Sequence, residues 1–232
     1  MVLVKLLEIQ NTSERIKVFR FERPPGFEFK PGQFALLSTE KVKMPSGALL
    51  KRAYSIASSR DAGYLEFCIA LGGETGFSHH LHKEAKTGDL FNLDGPFGKF
   101  DLELPLKAET IFVAGGTGIS AIRSMIDTLE EEHFLTNKIW LFYGVRTPEE
   151  LIFQDEWAKF KVNFQLVPAV SDPNAQNWSG EKGFISDVMA RIIKDGKGKE
   201  IYMCGPPRMT ESTLAKAREI GFSEEFIHCE EW

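Results

Sequence analysis

Residues 115–118 read Gly-Gly-Thr-Gly, between an apolar β-branched run (110–114) and a stretch where Ile122, Met125, Ile126 and Leu129 recur at helical spacing. Glycines let backbone N–H groups close on a phosphate, and a helix that starts there adds a dipole favourable to an anion. The chemistry is phosphate binding by Gly115, Gly116, Thr117 and Gly118. A tight strand-to-helix turn that binds nothing would use similar residues, but three glycines in four weigh towards the phosphate. Three more clusters follow apolar runs: Gly144-Val145-Arg146, Val170-Ser171-Asp172 and Cys204-Gly205-Pro206-Pro207. In an open parallel sheet, ligands bind beyond the carboxyl ends of the strands. All four clusters are therefore predicted to line one edge, with Thr117, Arg146 and Ser171 as donors.

Two other features invite chemistry and carry less. A nucleophilic thiol needs a setting that lowers its pKa, and none is visible around Cys204, which suits a small core residue as well. His79 and His82 would share a helical face, but two ligands without an acidic or cysteine partner nearby make a poor zinc site. No metal is predicted, and His79, His80 and His82 are expected to be polar helix residues.

The elements that must position these groups fall into two halves. Strand-like runs at 2–10, 16–22, 33–38, 52–56, 64–69 and 89–93 are separated by turn residues, a rhythm that predicts a small antiparallel β-barrel. One helix fits at 77–85, and a Gly-Pro-Phe-Gly turn (95–98) is expected to close the region. Beyond a linker, strands at 110–114, 139–143, 164–169 and 201–204 alternate with helices at 119–132, 153–160, 186–193 and 207–220, with a last strand at 226–230. Near-continuous apolar strands alternating with helices predict a parallel sheet covered on both faces, an α/β nucleotide-binding domain. The expected domains are 1–102 and 110–232. In the third helix, Ser186 and Asp187 suit the start, and Arg123 can pair with Asp127 in the first.

Composition removes several classes of function. A net charge of -5 disfavours binding to nucleic acid or to an anionic membrane. No apolar run approaches the roughly 20 residues needed to span a bilayer, and no signal-peptide pattern is visible. Cys68, Cys204 and Cys229 are too few and too scattered for a disulfide framework or an iron–sulfur cluster, so a reducing cytoplasm is expected. Gly-Gly-Thr-Gly is not GxGxxG, and the second strand ends without an acidic ribose clamp, so an ordinary Rossmann dehydrogenase is disfavoured.

Over nearly its whole length the chain resembles the ferredoxin–NADP⁺ reductase superfamily. Arg52-Ala53-Tyr54-Ser55 is similar to that family's Arg-x-Tyr-Ser flavin motif, and Gly76-Phe77-Ser78 to its second flavin motif. Gly115–Gly118 corresponds to the pyrophosphate turn, although Ala121 stands where many relatives have proline. Met203-Cys204-Gly205-Pro206-Pro207 is similar to the nicotinamide-side motif, and Glu230-Glu231-Trp232 to a terminal Glu-x-aromatic.

What the resemblance implies is a flavoenzyme that moves hydride from C4 of NADH or NADPH to N5 of FAD, the rings aligned by two domains. Arg52 would meet the flavin pyrophosphate, where a cationic fork suits two phosphates. Tyr54 would lie against the isoalloxazine, Ser55 would place its hydroxyl near N5, and Gly76 and Ser78 would bond the second phosphate. Cys204 would flank the nicotinamide, Glu230 would bond it or relay a proton, and Trp232 would cover the flavin. Asp172 stands where NADPH-using relatives carry arginine, so NADH is favoured, while Arg146 pulls the other way. Electrons would pass to a separate ferredoxin, flavodoxin or oxygenase component. The alternatives are an NAD(P)H:free-flavin reductase and a relay-only subunit of a larger complex.

Overall fold

The computed structural model describes residues 1–106, 108–132, 137–157, 159–160 and 163–230. The chain forms two compact units, one of Met1–Leu102 with Arg123–Thr128 and the other of Glu103–Ile122 with Leu129–Trp232.

The first unit is built on strands β1 (Val2–Asn11), β2 (Ile16–Glu22), β3 (Phe34–Ser38), β4 (Arg52–Ser55), β5 (Tyr64–Ala70) and β6 (Leu90–Phe97), with helix α1 (Phe77–Lys83) before β6. The sheet order is β4-β3-β6-β1-β2-β5, and every pairing is antiparallel. Phe19, Phe21, Phe67, Phe77 and Phe91 fill its core with Leu6, Leu37 and Leu93. The Gly-Pro-Phe-Gly stretch differs from expectation. Gly95, Pro96 and Phe97 continue β6 rather than turning, because the register against β3 shifts between Phe34 and Leu36. That irregularity absorbs the proline, which has no N–H to give to a ladder. Glu66 is a second departure from a plain apolar core. Its carboxylate is 1% exposed, receives Arg20 Nε at 2.6 Å, and is also met by the guanidinium of Arg123.

The second unit holds β7 (Thr110–Gly115), α2 (Ile119–Glu131), β8 (Ile139–Val145), α3 (Gln154–Trp157), β9 (Phe164–Val170), β10 (Glu181–Lys182), α4 (Ile185–Ile192), β11 (Glu200–Cys204), α5 (Pro207–Glu219) and β12 (Ile227–Cys229). All six strands run parallel in the order β10-β9-β8-β7-β11-β12. Every residue of β7 and β11 is buried, as expected of a sheet covered on both faces.

Three local expectations change. The helix read over 153–160 begins one residue later, at Gln154, because Phe153 takes a left-handed φ of 64° that a helix interior excludes; residue 158, within its expected second half, lies outside the described residues. The two-residue edge strand β10 was not expected, being too short to show a period. Ser186 does not cap α4. Phe184 occupies that position with no side-chain bond, and Ser186 Oγ instead lies 2.9 Å from Ser212 Oγ.

Candidate functional site

The carboxyl ends of β7, β8 and β9 and the starts of α4 and α5 surround a cavity of about 560 Å³. Gly115, Gly116, Gly144 and Val145 lie along it, with Arg146, Glu150 and Ser171 on the β8–β9 side and Pro206 and Arg208 on the α5 side. Of the nucleotide residues predicted from sequence, Gly115, Gly116, Arg146, Ser171 and Pro206 therefore line it. Thr117, Gly118, Asp172, Cys204 and Gly205 are not among its lining residues. Ser171 Oγ donates to the Val145 carbonyl at 3.2 Å, and Asp172 accepts the Asn174 N–H at 2.9 Å. Among the described residues, neither the Arg146 nor the Arg208 guanidinium meets an acid, so both charges are available to an anion in the cavity.

Close packing explains which glycines do what. The turn after β7 enters α2 through one 3₁₀ turn, Gly116–Gly118. A Cβ on Gly118 would stand 2.2 Å from the Cys204 carbonyl oxygen, and one on Gly205 would stand 3.0 Å from Gly115 Cα. These two glycines let the β7–α2 and β11–α5 turns touch. Gly116 is different: its φ is +53°, and nothing lies within 4 Å of a Cβ there. Where it lines the cavity, Gly116 leaves its backbone open. Gly144 gives way to α4, since its Cβ would come within 2.7 Å of Ile185 Cβ.

Sequence reasoning missed several lining residues, of which three carry a charge or an exposed ring. Phe184 is 70% exposed at the start of α4, an uncovered aromatic face of the kind that stacks on a base. Glu150 accepts the Arg146 N–H at 3.1 Å and brings a carboxylate into the cavity wall. Arg208 is the third. A lone exposed phenylalanine or arginine has no sequence signature; only the fold places these beside the glycine turn.

In the first unit, the predicted flavin residues gather on β4 and α1. Among the described residues Arg52 forms no ion pair; its guanidinium donates only to the Lys51 carbonyl, at 3.0 Å. Tyr54 packs against Phe77, ring centroids 6.2 Å apart, and burial pushes its phenol well above the ordinary range. Ser55 is 4% exposed, and its hydroxyl has no hydrogen-bond partner among the described residues. Ser78 Oγ accepts the Gly72 N–H at 3.1 Å, which leaves its proton for another acceptor. Phe77 is fully buried, so its part is to support Tyr54. The three histidines lie on helix α1, as expected. His80 and His82 are buried, His80 Nδ1 lying 2.9 Å from Glu84 and His82 Nε2 2.9 Å from the Ile69 carbonyl. No group of three or more metal-ligating side chains is found among the described residues.

Cys204 and Glu230 stand at the ends of neighbouring strands β11 and β12. Cys204 is fully buried, while the Glu230 N–H donates to the Met203 carbonyl at 3.1 Å. Burial pushes the Glu230 carboxyl up to about 7, so near neutral pH it can hold or release a proton. Because the folded value is raised, folding favours the protonated form. The stabilisation is full below the ordinary carboxylate range and is lost as pH rises through about 7. Glu230→Gln should accordingly flatten the fall in melting temperature between about pH 5 and pH 8. An unchanged pH slope contradicts this. Trp232 and Glu231 lie outside the described residues.

Residues 3–102 match the oxidoreductase FAD-binding domain, and residues 112–214 match the oxidoreductase NAD-binding domain. A ferredoxin NADP⁺ reductase from Neisseria gonorrhoeae, solved with bound FAD and NADP, superposes with a TM-score of 0.85 at 26% identity, over 99% of this chain and 97% of that one. The chain belongs to the ferredoxin–NADP⁺ reductase superfamily. Within the superfamily it is 31% identical to the phenol hydroxylase P5 protein of Acinetobacter pittii (strain PHEA-2), over 97% of this chain. It is 34% identical to the phenol 2-monooxygenase reductase component DmpP of Pseudomonas sp. (strain CF600), over 92%. The chain spans 64% and 59% of the length of these two relatives.

The residues present fit the cofactors of the superfamily. For FAD, the first unit offers, among the described residues, a buried hydroxyl without a partner on Ser55 and a cation without an ion pair on Arg52. For a nicotinamide nucleotide, the second offers the cavity with Gly116, Arg146 and Arg208. Among the described residues no helix is long and apolar enough to cross a membrane.

Proposed function

We propose that the chain is an FAD-dependent NAD(P)H oxidoreductase that takes electrons from NADH and hands them to a separate iron–sulfur, flavodoxin-type or oxygenase component. The observation that carries this is the nucleotide-sized cationic cavity on a chain whose other unit ends β4 in the unpartnered Ser55 hydroxyl. The name reductase component of the relative DmpP supports the same class of work. Residues 1–102 hold the flavin and residues 110–232 the nicotinamide nucleotide, in a cytoplasmic setting.

Bound FAD supplies hydride acceptance at N5 and releases the electrons singly or together. The protein's part is binding, orientation and proton handling. Arg52 neutralises the flavin pyrophosphate, with Gly76 and Ser78 on its second phosphate and Ala53 and Phe77 shaping the backbone and ring bed. Tyr54, backed by Phe77, and the Ser55 hydroxyl would hold the isoalloxazine. Gly115, Gly116, Thr117 and Gly118 form the turn on which the nucleotide phosphates rest. Phe184 offers a face to the adenine; Arg146, Ser171 and Asp172 flank the ribose. Cys204, Gly205 and Pro206 bound the space for the nicotinamide, and Glu230 holds or releases a proton beside it; the part expected of Trp232 falls on a residue outside the described ones.

The test is to purify the chain, release its flavin by heat and identify it. The same preparation is assayed with ferricyanide, with cytochrome c plus ferredoxin, and with free flavins. Tightly held FAD with turnover of the protein acceptors supports the proposal. Flavin lost on gel filtration, with activity restored by added flavin, favours a free-flavin reductase. FAD retained without any turnover favours a relay-only subunit.

The nucleotide preference has its own expectation. Glu150 brings a carboxylate into the cavity wall, accepting the Arg146 N–H, and the Asp172 N–H donates to the Arg146 carbonyl, so both acids would stand near a 2′-phosphate and repel it. NADH should therefore give the higher kcat/KM, and Asp172→Arg should move the ratio towards NADPH by about tenfold. Equal kcat/KM for both nucleotides in the unaltered protein contradicts this.

A further inference from the structure

We propose that Arg208 clamps the pyrophosphate of the bound nucleotide, so that the ADP moiety is held by charge independently of whether a 2′-phosphate is present. This rests on the nucleotide assignment of the cavity made above. The motivating observation is a local rule broken at the start of α5. Arg208 is the second residue of that 13-residue helix, and no acidic residue lies in its first turn. A helix N-terminus carries partial positive charge, which favours acids there and disfavours a cation. Among the described residues nothing offsets the cost: Arg208 is exposed and no carboxylate meets it. Departures from local consistency of this kind are expected where function requires them, and an anion between the helix terminus and the guanidinium would satisfy both at once.

The packing says which anion. Gly205 has no side chain to hold α5 away from the β7 turn, and a Cβ on Gly115 would sit 3.0 Å from Pro206 Cδ. The start of α5 is thereby held against Gly115, next to Gly116, whose open backbone faces the same cavity. Ser212, one turn beyond Arg208, also lines the cavity, and its hydroxyl is tied to Ser186 of α4 at 2.9 Å. Arg208 thus stands on the wall where a phosphate over the glycine turn would lie. Arg146, by contrast, stands with Glu150 and Ser171 at the ends of β8 and β9. The two guanidiniums divide the nucleotide: Arg208 takes the pyrophosphate and Arg146 the ribose end. A planar fork suits adjacent phosphate oxygens better than an ammonium does.

The test is calorimetric titration of the FAD-loaded protein with ADP, adenosine, NAD⁺ and NADP⁺. Arg208→Gln should weaken ADP, NAD⁺ and NADP⁺ by about tenfold or more, since a charge-assisted bond is lost. Adenosine affinity and the NAD⁺:NADP⁺ ratio should stay unchanged, and Arg208→Lys should restore part of the loss. Unaltered ADP affinity in Arg208→Gln overturns the proposal, as does an equal loss for ADP and adenosine, which would mark a merely structural role. If the unaltered protein binds neither ADP nor NAD⁺, the nucleotide assignment of the cavity fails and the clamp fails with it. That outcome is distinct from a wild-type protein that binds ADP and a variant that binds it equally well.

Discussion

Gly118→Ala should lower the melting temperature of the protein by roughly 6–12 °C, the shift that about 3 kcal/mol produces in a chain of this size. The added methyl carbon would stand 2.2 Å from the Cys204 carbonyl oxygen, 2.6 Å from its carbon and 2.8 Å from Gly205 Cα. All three are backbone atoms, so no side chain can swing aside, and either β7–α2 or β11–α5 must move. Gly116→Ala should behave in the opposite way. Its φ of +53° costs an alanine about 1 kcal/mol, but no neighbour resists the methyl group. The stability loss is small, while the new methyl group stands where a phosphate must approach. Nucleotide affinity should fall with little change in melting temperature. Thermal melts and NAD⁺ titrations of the two variants separate the glycine that packs from the glycine that binds. Similar melts for both would contradict the assignment.

Arg52→Ala should weaken FAD retention by roughly ten- to a hundredfold, the range expected for one charge-assisted bond of about 1.5–3 kcal/mol. The unaltered guanidinium donates only to its neighbour's carbonyl, so its removal breaks no ion pair among the described residues and should leave the barrel folded. Ser55→Ala is the informative contrast. It removes a buried hydroxyl that has no partner among the described residues, so stability should hold or rise slightly. FAD should remain bound while its reduction by NADH slows. Dialysis followed by flavin absorbance measures retention, and rapid mixing with NADH measures the rate. If Arg52→Ala keeps FAD as tightly as the parent, the phosphate role of Arg52 is wrong.

The architecture was legible because each half of the chain keeps one period. Short strands broken by Pro and Gly marked the antiparallel sheet, and apolar runs alternating with helical stripes marked the parallel one. What could not be read was decided by tertiary contact. Gly95 and Pro96 look like a turn, yet β6 runs through them because its register against β3 shifts. Phe153 sits in a helical pattern but takes a left-handed φ. Ser186 is a good capping residue that bonds Ser212 instead.

The same division holds for the site. The four strand-end clusters were placed on one edge by the topology rule alone, and Gly116, Arg146, Ser171 and Pro206 line the cavity there. The separate tasks of Gly116 and Gly118 were not visible, since one glycine looks like another until its neighbours are known. Phe184, Glu150 and Arg208 carry no motif, and reach the cavity through the starts of α4 and α5 and the loop after β8. His80 and His82 read as polar helix residues, and the fold buries both: His80 meets the exposed Glu84 one turn on, and His82 the Ile69 carbonyl.

The most direct test of the central claim is anaerobic titration of the purified, FAD-loaded chain with NADH, followed through the visible absorbance of the flavin. Hydride transfer within this one chain predicts that the yellow colour bleaches with one equivalent of NADH per flavin and returns when ferricyanide is added. Flavin that stays oxidised in excess NADH and in excess NADPH would contradict the proposed function.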